Sequence, residues 1–212
     1  MTILHVFDMD GTLLRGTAAA ELSRCVGRLD EARDIERGWL DGEITDEGFW
    51  EQCLPLWADL TEALVDAAFA EAPWINGVVE VFRDIKDRGE YIAVISQSPA
   101  FFVRRLRRWG ADATFGASVE PGGRTGPDVL LTKEDKVTIT RQLLMQYGLE
   151  TGCCVAYGDS SSDELLFDFL SNTVAVNGSP TVRSLAALSY EGDDLRNVYA
   201  LGRQLVDKGA AT

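Results

Sequence analysis

The sequence predicts an α/β fold, a parallel sheet covered by helices and carrying a small helical-bundle cap. Three observations lead there. Short apolar runs recur at ILHVFD (3–8), YIAVIS (91–96), CCVAYG (153–158) and TVAV (173–176), apolar nearly throughout, as strands buried on both faces are. The last three lead through a polar turn into a helical pattern: PAFFVRRLRRW (99–109), DELLFDFL (163–170) and PTVRSLAAL (180–188). Between residues 16 and 76 the strand signal gives way to helical periodicity alone.

Taken in order, residues 3–8 form a strand that the turn-prone MDGT cuts off. The segment 16–76 reads as a cap of helices, AAAELSRCVGRL, DEARDIERGWL, DEGFWEQCLPLW and TEALVDAAFAEA, so that 1–15 and 77–212 make the core domain. Trp39, Trp50, Trp57 and Trp74 fall in the cap or at its exit. They supply the core that a bundle of about sixty residues needs, or one or two of the rings line a substrate pocket. Helix 99–109 carries Arg104, Arg105, Arg107 and Arg108, read as a solvated face whose cations complement the helix C-terminus. GASVEPGGRTGPD (116–128) reads as a Gly/Pro-rich loop or hairpin, and DDLRNVYALGRQLVDKG as a closing amphipathic helix.

Charge narrows the function. Over 212 residues, 20 Lys+Arg stand against 34 Asp+Glu, a net charge of −14 that repels phosphate backbones and argues against nucleic acid or an anionic membrane as partner. No apolar run approaches the ~20 residues of a membrane helix, and MTILHVFDMD lacks the features of a signal peptide. The expected location is the cytoplasm. Cys25, Cys53, Cys153 and Cys154 show no paired metal spacing and are expected to be reduced; Cys153 and Cys154 would point to opposite faces. The single histidine, His5, lies three residues before Asp8 on the first strand, a core or edge position that cannot reach the strand's end. With no second histidine, a Ser-His-Asp hydrolase is improbable.

The chemistry-bearing residues sit at strand ends. Asp8 and Asp10 close the first strand in DMDGT, and Asp159 and Asp163 follow the strand 153–158 in GDSSSD. Where both strands belong to one parallel sheet, their carboxyl ends converge and four carboxylates crowd one crevice. A hard divalent cation makes such crowding tolerable, and oxygen donors with few His or Cys favour Mg²⁺ over zinc. Ser96 ends the strand 91–96 and Lys136 begins a helix leading back to 153–158; a hydroxyl and an ammonium suit phosphoryl oxygens. Taken singly, Ser96 reads as a helix cap and Lys136 as a surface charge.

These residues together resemble the haloacid dehalogenase superfamily of phosphohydrolases. FDMDGTLL (7–14), VISQSP (94–99), the helix-borne Lys136, with Lys133 as competitor, and GDSSSDELLF (158–167) match its four motifs in order, across essentially the whole chain. The cap between the first two motifs is similar to that of the phosphoserine phosphatase-like branch. The resemblance implies a Rossmann-like core and a Mg²⁺-dependent phosphatase acting on a small phosphorylated metabolite. It implies Asp8 as nucleophile, forming an aspartyl-phosphate, and Asp10 as general acid and then base. Asp8, the main-chain carbonyl of Asp10, and Asp159 would hold Mg²⁺, with Asp163 supporting them; Ser96, Gln97 and Lys136 would bind the phosphoryl group. Thr12 would stabilise the loop. A phosphomutase or phosphotransferase is the alternative, and a non-catalytic phosphate-binding module a further one. In the cap, Thr17, Glu21, Phe49, Trp50, Gln52 and Trp57 are the candidate substrate contacts. Phosphoserine itself is expected to be a poor substrate: Gln52 and Leu56 stand where the branch has a basic residue, and no Arg or Lys occurs between Arg37 and Arg83.

Overall fold

The computed structural model describes residues 1–209. Strand β1 (Leu4–Phe7) opens the fold and is buried along its length. Helices α1 (Ala18–Cys25), α2 (Leu29–Leu40), α3 (Asp46–Leu56) and α4 (Glu62–Glu71) follow without an intervening strand. Then come α5 (Val78–Asp87), β2 (Tyr91–Pro99), α6 (Ala100–Val103), β3 (Ala113–Ala117), α7 (Lys133–Tyr147), β4 (Cys154–Gly158), α8 (Glu164–Phe169), β5 (Thr173–Val176), α9 (Pro180–Leu185), β6 (Leu188–Tyr190) and α10 (Leu195–Gly209). Among the described residues six strands form one sheet in the order β3-β2-β1-β4-β5-β6, every pair parallel.

The pleat sorts each strand onto two helical layers. Leu4, Val6, Ala93, Ile95, Cys154, Ala156 and Ala175 face α7, α8 and α9 through Leu143, Leu144, Leu166, Phe167 and Val182. Phe7, Ile92, Val94, Val155, Tyr157, Val174 and Val176 face the opposite cluster with Val78, Phe82 and Ile85 of α5 and Val198 and Val206 of α10. Helix α5, absent from the sequence expectations, has the periodicity of a one-sided helix, with Val78, Val81, Phe82 and Ile85 buried. Cys153 and Cys154 fall into opposite clusters, and all four cysteines are free thiols. His5 is fully buried, its Nδ1 3.0 Å from the Tyr157 hydroxyl and its Nε2 3.0 Å from Glu90.

The chain leaves and re-enters the sheet through a short two-stranded neck, where Arg15 N–H donates to Pro73 O and Ile75 N–H to Leu13 O, both at 2.9 Å. Beyond the neck, α1–α4 do not enclose a separate core. Trp57 meets Phe101 edge-on at 6.5 Å, and Phe69 packs on Phe102 and Trp109. Arg104, Arg107 and Arg108 are exposed, as a solvated face requires, and Arg105 departs from that expectation. Residues 104–109 form a 3₁₀ segment after α6, and Arg105 is buried. Its guanidinium donates to Asp66 and Glu62 of α4 at 2.6 Å and to the Phe101 carbonyl. The reason is pairing across elements: carboxylates some forty residues away in sequence satisfy a buried cation that a helix-face reading leaves in water. The segment 116–128 is irregular beyond the end of β3, and no helix among the described residues is long and apolar enough to cross a membrane.

Candidate active site

The order of the strands decides where side chains converge. From β1 the chain moves to β2 on one side and later to β4 on the other, so the topological switch lies between β1 and β4, where open parallel sheets form a crevice at their carboxyl ends. Phe7 is in register with Val94 on β2 and with Tyr157 on β4. Asp8 therefore emerges beside Gly158 and Asp159, with Ser96 one step further along β2.

Lys136 joins these ends. Thr132 and Asp135 cap α7 reciprocally, which places Lys136 in the first turn with its side chain running inward, 1% exposed. Its ammonium donates to Asp8 Oδ1 at 2.7 Å, Asp163 Oδ1 at 2.7 Å and Ser162 Oγ at 2.8 Å, using all three protons. Lys133 is exposed at the start of the same helix. Burial works against the charged ammonium, but Asp163 and then Asp8 outweigh it and hold Lys136 above its ordinary range.

Two glycines make the approach possible. Gly11 has φ 77°, and a Cβ there would lie 2.2 Å from Asp159 Oδ2. A Cβ on Gly158 would lie 2.3 Å from Asp163 Cγ. Asp163 Oδ2 instead accepts the main-chain N–H of Asp159 at 3.1 Å and of Ser160 at 3.3 Å, so this carboxylate shapes the loop that carries Asp159. Thr12 donates to Asp159 Oδ1 at 3.4 Å.

Asp8, Asp159 and Asp163 each offer an oxygen within 4.8 Å of the others. Three carboxylates and one ammonium leave the cluster net negative. Burial lifts Asp8 to about 6, against the pull of Lys136 and with the charge of Asp163 adding to it. Burial, then the charges of Asp8 and Asp163, lift Asp159 to about 9. The three donors are all carboxylate oxygens, and burial with like charge beside it pushes Asp8 and Asp159 up, so the set fits a hard divalent cation such as Mg²⁺. Since both oxygens of Asp163 already serve Lys136 and the loop amides, Asp8 and Asp159 are the carboxylates better placed to ligate.

Asp10 stands apart from this cluster. Its Oδ1 accepts the N–H of Ala18 at 3.1 Å, in the first turn of α1, and its Oδ2 accepts the hydroxyl of Ser98 at 2.5 Å. Burial lifts it to about 7; the Ser98 bond opposes the shift and the charge of Asp8 adds to it. A carboxyl that titrates near neutrality suits proton transfer in both directions. Ser96 is buried, and its Oγ accepts the N–H of Ser98 at 3.1 Å. Gln97 turns aside and donates to the Leu131 carbonyl at 3.0 Å.

The cap candidates scatter. Thr17 caps α1 by accepting the N–H of Ala20. Glu21 is buried but pairs with Arg24 on its own helix. Trp57 is fully buried, with its indole N–H donating to Ser23 Oγ at 2.8 Å, and Trp50 is buried edge-on between Phe49 and Trp57. Phe49 is half-buried and Gln52 is exposed. The rings serve packing between α1, α3 and α6 because a bundle sharing the core's apolar cluster draws its largest side chains inward. Ser98 and Ser162 contact Asp10 and Lys136 and received no role from the sequence; Ser98 was within reach as the second hydroxyl of VISQSP.

Comparison with known proteins agrees with this geometry. A family model described as haloacid dehalogenase-like hydrolase matches residues 5–167. A phosphoserine phosphatase of Archaeoglobus fulgidus is 26% identical over 91% of this chain, which spans 57% of that protein's length. A phosphoserine phosphatase of Methanocaldococcus jannaschii is 26% identical over 92% of this chain and 95% of its own. A solved structure described as a substrate-bound phosphoserine phosphatase complex shares the fold with a TM-score of 0.78 at 24% identity, covering 94% of this chain and 98% of its own. The names of these relatives lend no support to the expectation that phosphoserine is a poor substrate.

Proposed function

The chain belongs to the haloacid dehalogenase-like hydrolase family, as an enzyme of its phosphoserine phosphatase-like branch, and on that premise we propose that it is a Mg²⁺-dependent phosphomonoester hydrolase acting on a small phosphorylated metabolite. The observation that carries this reading is the pairing of two aspartates with separate environments: Asp8 held by Lys136, and Asp10 held by Ser98 and Ala18. One is fixed beside a cation, as a nucleophile at the phosphate position should be; the other titrates near neutrality.

In the proposed reaction an Asp8 carboxylate oxygen attacks phosphorus in line. The bond from phosphorus to the leaving oxygen breaks as the bond to Asp8 forms, and the Asp10 proton passes to the departing alcohol. Asp10 then takes a proton from water, which attacks the aspartyl-phosphate, releases inorganic phosphate and restores Asp8. Ser96 and Lys136 bind phosphoryl oxygens, and Asp163 keeps Lys136 and the Asp159 loop in place. Asp8, the Asp10 main-chain carbonyl and Asp159 are the groups that would hold Mg²⁺, which would supply positive charge to the phosphoryl oxygens and the crowded carboxylates. Residues 16–76 act as the cap over the core 1–15 and 77–212, and the enzyme works in the cytoplasm.

The relatives' names put L-phosphoserine first in a panel of phosphomonoesters. Phosphate release is measured with and without Mg²⁺, beside Asp8→Asn. Release that requires Mg²⁺ and Asp8 supports the proposal, and the preferred substrate identifies the alcohol the cap admits. Transfer of the phosphoryl group to a second alcohol, with no free phosphate, would favour a phosphotransferase instead.

A further inference from the structure

Ser98 has no part in the reaction as set out above, yet among the described residues it is the side chain that links β2 to Asp10 by a hydrogen bond. It is buried near the end of β2, two residues beyond Ser96. Its N–H donates to Ser96 Oγ and its hydroxyl to Asp10 Oδ2. The remaining Asp10 oxygen is held by the Ala18 N–H at the start of α1. The carboxyl is thereby gripped from two directions, by the core strand and by the first cap helix. Each carboxyl oxygen retains a second lone pair that can carry the transferable proton.

We propose that Ser98 is a positioning residue for Asp10, fixing the carboxyl's orientation from the core side so that its proton faces the departing oxygen of a phosphoryl group seated at Ser96. The inference rests on the reading of Asp10 as general acid. Chain geometry favours it over a purely structural role. A serine needed only to cap β2 could bond any nearby main-chain group, whereas this hydroxyl donates to a crevice carboxyl that Lys136 does not bond and whose other oxygen is held by the first turn of α1. A loss of orientation that leaves the acid present costs part of the 10²–10⁴-fold that general acid catalysis contributes.

The test compares kcat/KM for p-nitrophenyl phosphate, whose leaving group departs without a proton, with kcat/KM for an alkyl phosphomonoester, whose leaving group needs one. Ser98→Ala, Ser98→Thr and Asp10→Asn are assayed beside the unmodified enzyme, with circular dichroism melts for folding. The alkyl-to-aryl ratio is expected to fall about tenfold in Ser98→Ala and to return to within about threefold in Ser98→Thr, which retains the hydroxyl. An unchanged ratio in Ser98→Ala overturns the inference, whether both substrates are unaffected or both lose equally. If Asp10→Asn collapses the ratio and Ser98→Ala does not, the inference alone fails; if Asp10→Asn leaves the ratio intact, the reading of Asp10 fails with it. Should Ser98→Ala not fold, Ser98→Cys, similar in size and a weak donor, carries the same comparison.

Discussion

At the carboxyl ends of β1, β2 and β4, polar side chains separated by up to about 150 residues meet within hydrogen-bond distance. In the segment 16–76 the candidate residues diverge: Trp57 inward and Gln52, five residues before it, to solvent, while Glu21 on α1 turns back onto Arg24. The difference teaches what a local motif can specify. A residue just past a buried parallel strand has its place set by register, whatever the rest of the chain does. A residue on a short amphipathic helix points where packing sends it, and packing is decided by every neighbouring helix.

The largest expected break in this comparison comes from the core. Asp8→Asn should lower phosphate release by about 10³-fold or more while the protein still folds, as measured by steady-state kinetics and circular dichroism. Next is Lys136→Met, which leaves Asp8 and Asp163 buried without their shared cation. Removing one partner of a buried pair costs about 3–5 kcal/mol, read from denaturant unfolding of the metal-free protein. The site's acids should also make metal-free stability depend on pH. In the folded state Asp8, Asp10 and Asp159 are raised from 3.8 to about 6, 7 and 9, so the fold binds more protons than the unfolded chain. Their contribution is fully present below 3.8 and is lost as pH rises through those values, so thermal melts should show Tm falling across that window and Mg²⁺ restoring it most at the upper end.

The smallest effect on activity belongs to the cap. Trp57→Phe removes the bond to Ser23 and part of a packed ring, and should cost about 1–3 kcal/mol of stability. KM for the preferred phosphomonoester should move by less than about twofold. A large rise in KM with an unchanged melt would put the ring in contact with substrate and erase the contrast drawn above.

The same distinction accounts for what could be read from the chain. Strands β1, β2, β4 and β5 announce themselves as apolar runs because both faces are buried. The outer strands do not: β6 is three residues long and nowhere fully buried, and the middle of β3 is only half-covered. Val78, Val81, Phe82 and Ile85 display the spacing of α5 openly, and the period could have identified it. Arg105 could not be separated from its neighbours, since Arg104 also pairs with Glu62 and Arg108 with Asp66, and Arg105 differs from them in being buried between both carboxylates. The meeting of Asp8, Asp159 and Asp163 follows from their positions just past strand ends, whereas Ser96 and Lys136 read singly as a helix cap and a surface charge and stand out only through the order of the four motifs. Ser98 lies near a strand end too but looks, in sequence, like one more polar residue in a turn.

In the proposed reaction Asp8 carries the phosphoryl group between the two steps. Rapid acid quench of the enzyme turning over a phosphomonoester with Mg²⁺, followed by peptide mass spectrometry, reads this directly. The account predicts the added mass of one phosphoryl group on the peptide containing Asp8, absent from Asp8→Asn. Phosphorylation at another residue, or undiminished turnover by Asp8→Asn, would contradict it.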